Sequence, residues 1–527
     1  MAVFSSLITS DNDSDDAYWL TTLANQLADD IPRLCKLRTF YDGAETVPVA
    51  QIPAGVDVSA YAVYQRFVEL CPANFARIIA DSVSSRQKPI GFRSVSDKAQ
   101  RSEEADKAWR SHHMDVKARS VMHDVAVYGS GYFMVTSLEN PDRVTALSPW
   151  TARVSPNGDN AIYYDYDATS NRESITVARL IRNDDGSVKE VYSRTAVRDA
   201  ERPSILLESA TDEIYKVYND PTANKTFSFG AGFEWEGGAF QYDFAQKCGC
   251  LPIIRIGSGS GMGQFEPHVP LLSSIDQQRF QRFCIQEMQA FRQRAISGKI
   301  RRTYQPDDMP VILGKAKAGD PIDYSQVFSM GPAALWILPD GADIWESQVT
   351  DVTQLITAAS SDIKHLAAAS GTPLDILSPD VAGSASGADL KREGLIFKVE
   401  DLNARANDAL VYVLRMAIQA DDEARNVSED EMFETVWAPI APNSDLNMAQ
   451  AANYVKDILP PKTIMRKFLH MTETEISEAM QDMTDNTYQT AFTAAQAATD
   501  VSDETGGFTE VSDEEAGDSV LVDVDGA

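Results

Sequence analysis

The chain has 527 residues, enough for two to four structural units, and its 43% hydrophobic and 24% charged residues are typical of a folded globular protein. Its 47 Lys and Arg against 78 Asp and Glu give a formal net charge of -31, which excludes a function based on tight, general binding to nucleic-acid phosphates. Charge alone does not separate a soluble enzyme from a protein through which DNA slides.

The five cysteines are odd in number and scattered, which favours a reducing compartment over a disulfide framework. No apolar run approaches the roughly eighteen residues of a membrane-spanning helix, and the N-terminal segment lacks the basic and apolar parts of a secretory signal. We therefore expect a protein that is made and used in water, without contact to a membrane.

The N-terminal part of the chain is predicted to be helical. Apolar residues recur at steps of three and four from Ala17 to Arg38, which predicts an amphipathic helix capped by Ser14 and broken or kinked at Pro32. Further helices are predicted over residues 67–84 and 98–125.

The middle of the chain, to about Ile256, alternates β-branched or aromatic residues with turns such as Asn157-Gly158 and Asp185-Gly186. This pattern predicts an antiparallel sheet. Together with the preceding helices, it indicates an α+β fold.

A long helix is predicted from Leu271 to Ile296, with Gly298 as its end, because this segment contains neither Gly nor Pro and carries apolar residues at helical spacing. About fifty residues rich in Pro and Gly follow and predict short strands and turns. A second helix starts near Asp351, with Thr350 or Asp351 as its cap, and Gly371 ends it. After a loop of small residues, the strongest helical pattern in the chain begins at Ser386.

Three motifs suggest chemistry that the rest of the sequence does not support. The glycine run at residues 257–263 lacks the last glycine of a dinucleotide loop, and we interpret it as a flexible link. Cys248-Gly249-Cys250 has no second pair at metal spacing, so small buried or edge residues are the favoured interpretation. His112, His113 and His123 fit no ligand pattern and are expected to be solvated or at an interface. We expect no metal, no cofactor, no catalytic residues and no enzyme activity.

The order of the predicted parts resembles the portal family of long-tailed bacteriophages. Those parts are an α+β domain, a helix, a β-containing segment, a second helix, a small-residue loop and a long helix. The segments LRTFYDG, VAVYGSGYFMV, IKHLAAASGTPLDIL and SGADLKREGLIFKVE also look like portal sequences. The resemblance covers roughly residues 17–440, and it implies a portal fold. In full, it implies an N-terminal helical arm (1–45), a wing (46–270), a first stem helix (271–297), a clip (298–349), a second stem helix (350–371), a tunnel loop (372–387), a long wing helix with a return to the wing (388–440), a helical crown (441–499) and an acidic tail (500–527).

The small residues of the implied tunnel loop give its backbone freedom at little steric cost. With the resemblance they suit a mobile constriction around DNA, whereas taken by themselves they favour an ordinary connection between helices. The candidate tunnel-loop residues are Ser378, Asp380, Val381, Ala382, Gly383, Ser384, Ala385 and Ser386.

A locally basic stretch precedes and enters the implied clip. Repeated around a ring, such residues would contact phosphates weakly and without sequence preference, while ion pairs between neighbouring subunits explain the same charges equally well. The candidate DNA-channel residues are Arg279, Arg282, Arg292, Arg294, Lys299, Arg301 and Arg302.

The resemblance implies a function at one vertex of a capsid. The chain would form a homo-oligomeric ring, a dodecamer, through which double-stranded DNA is packaged and ejected. The partners implied are the large terminase, the major capsid protein and the head-to-tail adaptor, with assembly in the host cytoplasm and a final place in the virion between head and tail. The alternative is a head-to-tail adaptor or minor capsid protein without a DNA-gating role.

Overall fold

A computed structural model describes residues 6–9, 14–46, 58–94, 102–136, 143–220, 226–290, 294–298, 301–322, 342–346, 348, 351–378, 392–422, 433–440, 450, 452–456, 458–467, 469, 471 and 476–485. The chain divides into two units, Met1–Ala441 and Pro442–Ala527. The fold is α+β, as the sequence predicts.

The first helix, α1 (Asp15–Asp42), begins as predicted: Ser14 accepts a hydrogen bond from the Ala17 amide. The predicted break at Pro32 is wrong, since the helix continues through this residue. Ile31 and Leu34 on either side of it are fully buried, and this burial offsets the loss of one backbone hydrogen bond. The apolar stripe of α1 lies in the core.

Two predicted helices are each divided in two. The helix expected over residues 67–84 consists of α2 (Val58–Leu70) and α3 (Phe75–Ser84), separated by a turn that contains Pro72. The helix expected over residues 98–125 consists of α4 (Glu103–Ser111) and α5 (Met114–Tyr128). His113 separates this second pair, because its φ of 53° lies in the left-handed region.

The predicted antiparallel sheet is confirmed, but it forms as two separate sheets. One has three antiparallel strands in the order β3-β2-β9, and the other has five in the order β4-β5-β6-β7-β8. Gly158 and Gly186 adopt positive φ in the predicted turns. The strands are β2 (Ser130–Val135), β3 (Val144–Leu147), β4 (Ala152–Val154), β5 (Asn160–Asp167), β6 (Arg172–Arg182), β7 (Val188–Asp199), β8 (Glu234–Gln241) and β9 (Ile253–Gly257).

Two short helices lie between these strands, and further helices and strands follow them. In chain order they are α6 (Thr211–Asn219), α7 (Asp243–Cys248), α8 (Val269–Ala290), β10 (Arg294–Gly298), α9 (Met309–Ile312), β11 (Ala342–Glu346), α10 (Thr353–Ser370), α11 (Leu374–Leu377) and α12 (Glu393–Asp421).

The helix predicted to end at Gly298 ends earlier, and this prediction is wrong. Helix α8 stops at Ala290, and β10 pairs antiparallel with β11, with Ile296 opposite Ile344. The partner strand lies beyond the Pro/Gly-rich segment, so no local pattern around residues 291–298 reveals the pairing. The predicted end of α10 is confirmed: Gly371 has a φ of 61°, and its amide reaches the Ala367 and Ala368 carbonyls. Asp351 accepts a hydrogen bond from the Thr353 amide at 2.8 Å, but the N-cap of α10 is Val352, one residue after the predicted cap, and its side chain makes no capping hydrogen bond.

Helix α12 forms the centre of one core. From Val413 to Ala420 every residue is buried, and the helix packs on α4, α7 and the three-stranded sheet. Strands β1 (Pro89–Ser94) and β12 (Phe433–Trp437) pair beside it. The second core lies between α1, α3, α5, the five-stranded sheet and the first turns of α8. The predicted cap Ser386 lies outside the described residues.

In the C-terminal unit, α13 (Pro461–Lys467) and residues 476–485 are helical, as the pattern of this part of the sequence predicts. The acidic tail, 500–527, lies outside the described residues. No helix in the described part of the chain combines the length and apolarity needed to cross a membrane.

Candidate functional site

The start of α8 is fastened to the core by one arginine. Arg33, on α1, donates from Nε to Glu266 Oε1 at 2.7 Å and from Nη2 to Glu266 Oε2 at 2.6 Å. Nη2 also donates to the carbonyls of Tyr128 and Gly261, at 2.9 and 3.1 Å. A paired carboxylate and two carbonyl acceptors hold the guanidinium in one position. Arg33 therefore joins α1, the end of α5 and the approach to α8.

The glycine run at residues 257–263 packs against the end of α5 and is not the flexible link that the sequence suggests. A Cβ on Gly263 would lie 2.0 Å from the Val127 carbonyl oxygen, and one on Gly129 would lie 2.4 Å from the Gly261 carbonyl oxygen. Only glycine allows two backbone segments to approach so closely. We call Gly129, Gly261 and Gly263 the glycine junction. It sets the position from which α8 departs.

Helices α8 and α10 pack against each other. Gln278 on α8 donates to Asp362 on α10, and Leu272, Ile275 and Leu366 lie in one apolar cluster. The segment between the two helices leaves through β10 and returns through the paired strand β11. Two packed helices thus carry a small module between them.

The described part of this module is mostly exposed. Residues 301–322 are fastened by backbone hydrogen bonds between Arg302 and Ile322 and between Tyr304 and Asp320, with no buried side chain among them. Apolar side chains face solvent here: Met309, Ile312 and Leu313 are each more than 60% exposed.

The candidate DNA-channel residues do not form one surface. On α8, Arg279 donates to the Pro72 carbonyl at 3.2 Å, and Arg282 lies over the Phe283 ring at 5.4 Å with its Nε buried and unpaired. In the module, Arg301 pairs with Asp308 at 3.1 Å, whereas Arg302 is exposed.

The other candidates are only partly described. For Arg294 the backbone alone is described, as the first residue of β10. Arg292 and Lys299 lie outside the described residues. Exposure therefore favours Arg302 over Arg279 as a phosphate contact.

Only the beginning of the implied tunnel loop is described, and it is not a loop of small residues. Thr372 and Leu377 are buried, and α11 occupies residues 374–377. Ser378 is the last described residue of this segment, while Asp380, Val381, Ala382, Gly383, Ser384, Ala385 and Ser386 lie outside the described residues.

Two polar features escaped the sequence analysis because their residues are distant in the chain. Glu45 and Asp276 are buried carboxyl groups, and burial raises the pKa of each. The second feature is a cavity of about 540 Å³ beside α5, lined by polar residues that include His123, Asp124 and Glu208. Burial raises the pKa of Asp124 to about 6.

The histidines and cysteines behave mostly as expected. Cys248 is buried, Cys250 is partly buried, and both are free. His112, contrary to expectation, is not solvated: it is buried, with Nε2 3.3 Å from Asp421 Oδ2. Among the described residues no group of His, Cys, Asp and Glu is placed to hold a metal ion.

Comparison with known proteins does not assign this chain to a family. No family model matches the chain, and no curated protein matches it. Among solved structures, the chain is similar to one described as "Neck of empty GTA particle computed with C6 symmetry", at 11% identity and a TM-score of 0.36, covering 75% of this chain and 89% of that chain. A likeness at this level carries no argument about function, which must rest on the chain's own residues.

Proposed function

We propose that the chain is a subunit of a bacteriophage portal: a ring at the junction of head and tail whose central channel passes double-stranded DNA. The observation that carries the proposal is the paired helices α8 and α10 with the β10–β11 module at their ends. Together with the portal-like sequence segments, this order of elements is what a channel subunit needs: rigid helices that set the length of a channel and an exposed module for partners.

The mechanical support of α8 is consistent with this function. Arg33 and the glycine junction fix the start of the helix to the core, and Gln278 ties its middle to α10. A channel wall under load from moving DNA requires such fixed points, because a helix attached through a flexible link would tilt.

The proposed DNA contact is weak and non-specific. The net charge of -31 opposes tight binding to phosphates, which suits a duplex that must slide. Among the described basic candidates, Arg301 and Arg302 are exposed; Arg301 pairs with Asp308, and Arg279 is engaged by the Pro72 carbonyl. Large terminase, head-to-tail adaptor and major capsid protein are the proposed partners, and the exposed module is the proposed docking site for terminase and then for the adaptor.

The first test is the assembly state of the purified full chain. Negative-stain images and light scattering should give a ring of about twelve subunits with a central hole wide enough for duplex DNA. A monomer at all concentrations contradicts the proposal. A ring without any effect on DNA passage indicates a head-to-tail adaptor instead.

The second test separates DNA contact from ring assembly. Arg302→Gln should leave rings intact and reduce DNA packaging in an in vitro assay with terminase, with a larger reduction at low salt. Arg66→Gln is the matched control, because Arg66 is also exposed but pairs with Glu69 on α2. If Arg302→Gln abolishes rings, this residue forms subunit ion pairs and the DNA-contact assignment is wrong.

A further inference from the structure

The cavity beside α5 has the size and the lining of a site for a small organic group. Its volume of about 540 Å³ falls within the roughly 300–1,000 Å³ of cavities that hold small molecules. Residues of α5, the end of β3 and Glu208 line it, so three separate parts of the N-terminal unit meet there. None of its lining residues takes part in the proposed contacts with DNA or with partner proteins.

Asp124 is the more buried of the two carboxyl groups that line the cavity. Its side chain is 14% exposed, whereas that of Glu208 is 36% exposed. Asp124 Oδ1 lies 3.5 Å from His123 Nδ1, and within the described part of the chain no lysine or arginine pairs with it. Burial removes water from this carboxylate, and a carboxylate that loses water without gaining a cation is destabilised. The fold therefore leaves Asp124 without the positive charge that would stabilise it.

Glu208 adds a second negative charge to the same cavity. Its Oε1 accepts hydrogen bonds from Arg38 Nη1 at 2.9 Å and from Tyr128 Oη at 3.5 Å, and no described residue donates to its Oε2. Arg38 also donates to Asp42, so this one guanidinium serves two carboxylates. Of the charged lining residues, Asp124 and Glu208 are carboxylates, and the exposed Arg119 is the cation. The balance of charge favours a positively charged occupant.

Part of the lining is apolar. Ala146 and Leu147 contribute to it from the end of β3, and Leu147 is 6% exposed. Apolar side chains beside carboxylates match a cation that carries a short carbon chain, because the methylene groups pack on the apolar surface while the charged end reaches the carboxylates. A metal ion matches less well, since among the described residues no group of His, Cys, Asp and Glu is placed to coordinate one.

We propose that this cavity binds an alkylammonium or alkylguanidinium group, with the charged end on the carboxylates of Asp124 and Glu208 and the carbon chain against Ala146 and Leu147. Ammonium and guanidinium groups only donate hydrogen bonds, so each satisfies carboxylate oxygens that the described residues leave unpaired. The group comes either from a free amine or from a lysine or arginine side chain of another protein chain.

The affinity of the cavity should depend on pH through Asp124. Burial raises the pKa of Asp124 to about 6; Glu208 also raises it, whereas His123 and Arg38 lower it. Tyr128 stays neutral over this range, because burial raises its pKa as well. A proton on Asp124 competes with the bound cation. The ionised share of Asp124 falls about tenfold from pH 7 to pH 5, and the affinity should fall with it.

Isothermal titration calorimetry of the purified full chain with butylammonium tests the site, with butanol as the uncharged probe of the same length. We expect saturable binding of butylammonium, none of butanol, and an affinity about tenfold weaker at pH 5 than at pH 7. Asp124→Asn keeps the shape of the side chain without its charge. It should weaken binding at pH 7 by about tenfold or more and remove most of the pH dependence. Glu69→Gln, at an exposed carboxyl group paired with Arg66, is the matched control and should bind as the wild type does.

Arg119→Gln tests the site in the opposite direction. Removal of this exposed positive charge from the lining should strengthen binding about twofold to threefold at low salt, a gain that misfolding does not produce. Putrescine stands for a free amine and Nα-acetyl-lysine amide for a side chain of another protein, so the tighter binder of the two identifies the source. Failure of every cationic probe to saturate the wild type, or equal affinities in the wild type and Asp124→Asn, overturns the proposal. The measurement concerns a cavity of the single chain, so it does not depend on whether a ring forms.

Discussion

Replacing Gly263 with alanine tests whether the glycine junction sets the position of α8. The new Cβ would lie 2.0 Å from the Val127 carbonyl oxygen and 2.8 Å from the Val127 carbonyl carbon, and backbone atoms cannot rotate away as a side chain would. The contact must lengthen by roughly 1.4 Å to reach the 3.4 Å at which ordinary contact begins. The α5 terminus and the glycine junction must therefore move apart.

That movement disrupts hydrogen bonds on both sides of the substitution. The Gly263 amide donates to Glu266 Oε2 at 2.9 Å, and the Gln264 amide donates to the Ala126 carbonyl at 2.7 Å. With about 1 kcal/mol for each weakened bond and roughly 1–3 kcal/mol for overpacking, Gly263→Ala should lower the free energy of unfolding by about 3–5 kcal/mol.

Urea denaturation followed by far-UV circular dichroism measures this loss. Gly238→Ala is the matched control: it lies on β8 without positive φ, and a Cβ there meets nothing within 4 Å. Its effect should stay within about 1 kcal/mol, the range for Gly and Ala in an exposed strand. If Gly263→Ala is no more destabilising than Gly238→Ala, the close packing of the junction does not hold α8, and the reasoning is refuted.

Three other substitutions test single features of the fold, each against wild type by chemical denaturation. Ser14→Ala removes the α1 cap and should cost about 1 kcal/mol, while Ser14→Asp should cost less; equal losses would contradict a capping role. Leu410→Ala leaves a cavity at a fully buried position on α12 and should lower the free energy of unfolding by about 2–5 kcal/mol, whereas alanine at exposed Phe397 should lower it far less. Asp124→Asn should make the free energy of unfolding less dependent on pH. Because burial raises the pKa of Asp124 to about 6, the wild type loses stability as the pH rises from about 4 through 6, whereas the variant has no carboxyl group to ionise at this position. Parallel pH profiles would show that Asp124 is not responsible.

Much of the secondary structure could be predicted because its causes are local. The cap at Ser14, the end of α10 at Gly371 and the turns at Gly158 and Gly186 depend on residues within a few positions of each other. The helical periodicity that predicts α12 likewise depends only on the spacing of its apolar residues.

The candidate site was less predictable. The basic stretch at residues 279–302 is visible in the sequence, but whether an arginine is available to DNA depends on what lies beside it in space. The Pro72 carbonyl that engages Arg279 is distant in the chain. The buried carboxyl groups of Glu45 and Asp276 and the cavity beside Asp124 gave no sequence signal for the same reason.

The sequence by itself determined an α+β chain of amphipathic helices and an antiparallel β region, because periodicity, capping and turn residues act over short distances. Only the tertiary structure decided that α8 ends before β10, a strand whose hydrogen-bonding partner β11 lies far along the chain. It also decided that Pro32 stays within α1 and that residues 257–263 form a packed junction. The physical reason is the same in each case: backbone pairing and burial with distant residues outweigh local preferences of about 1–3 kcal/mol.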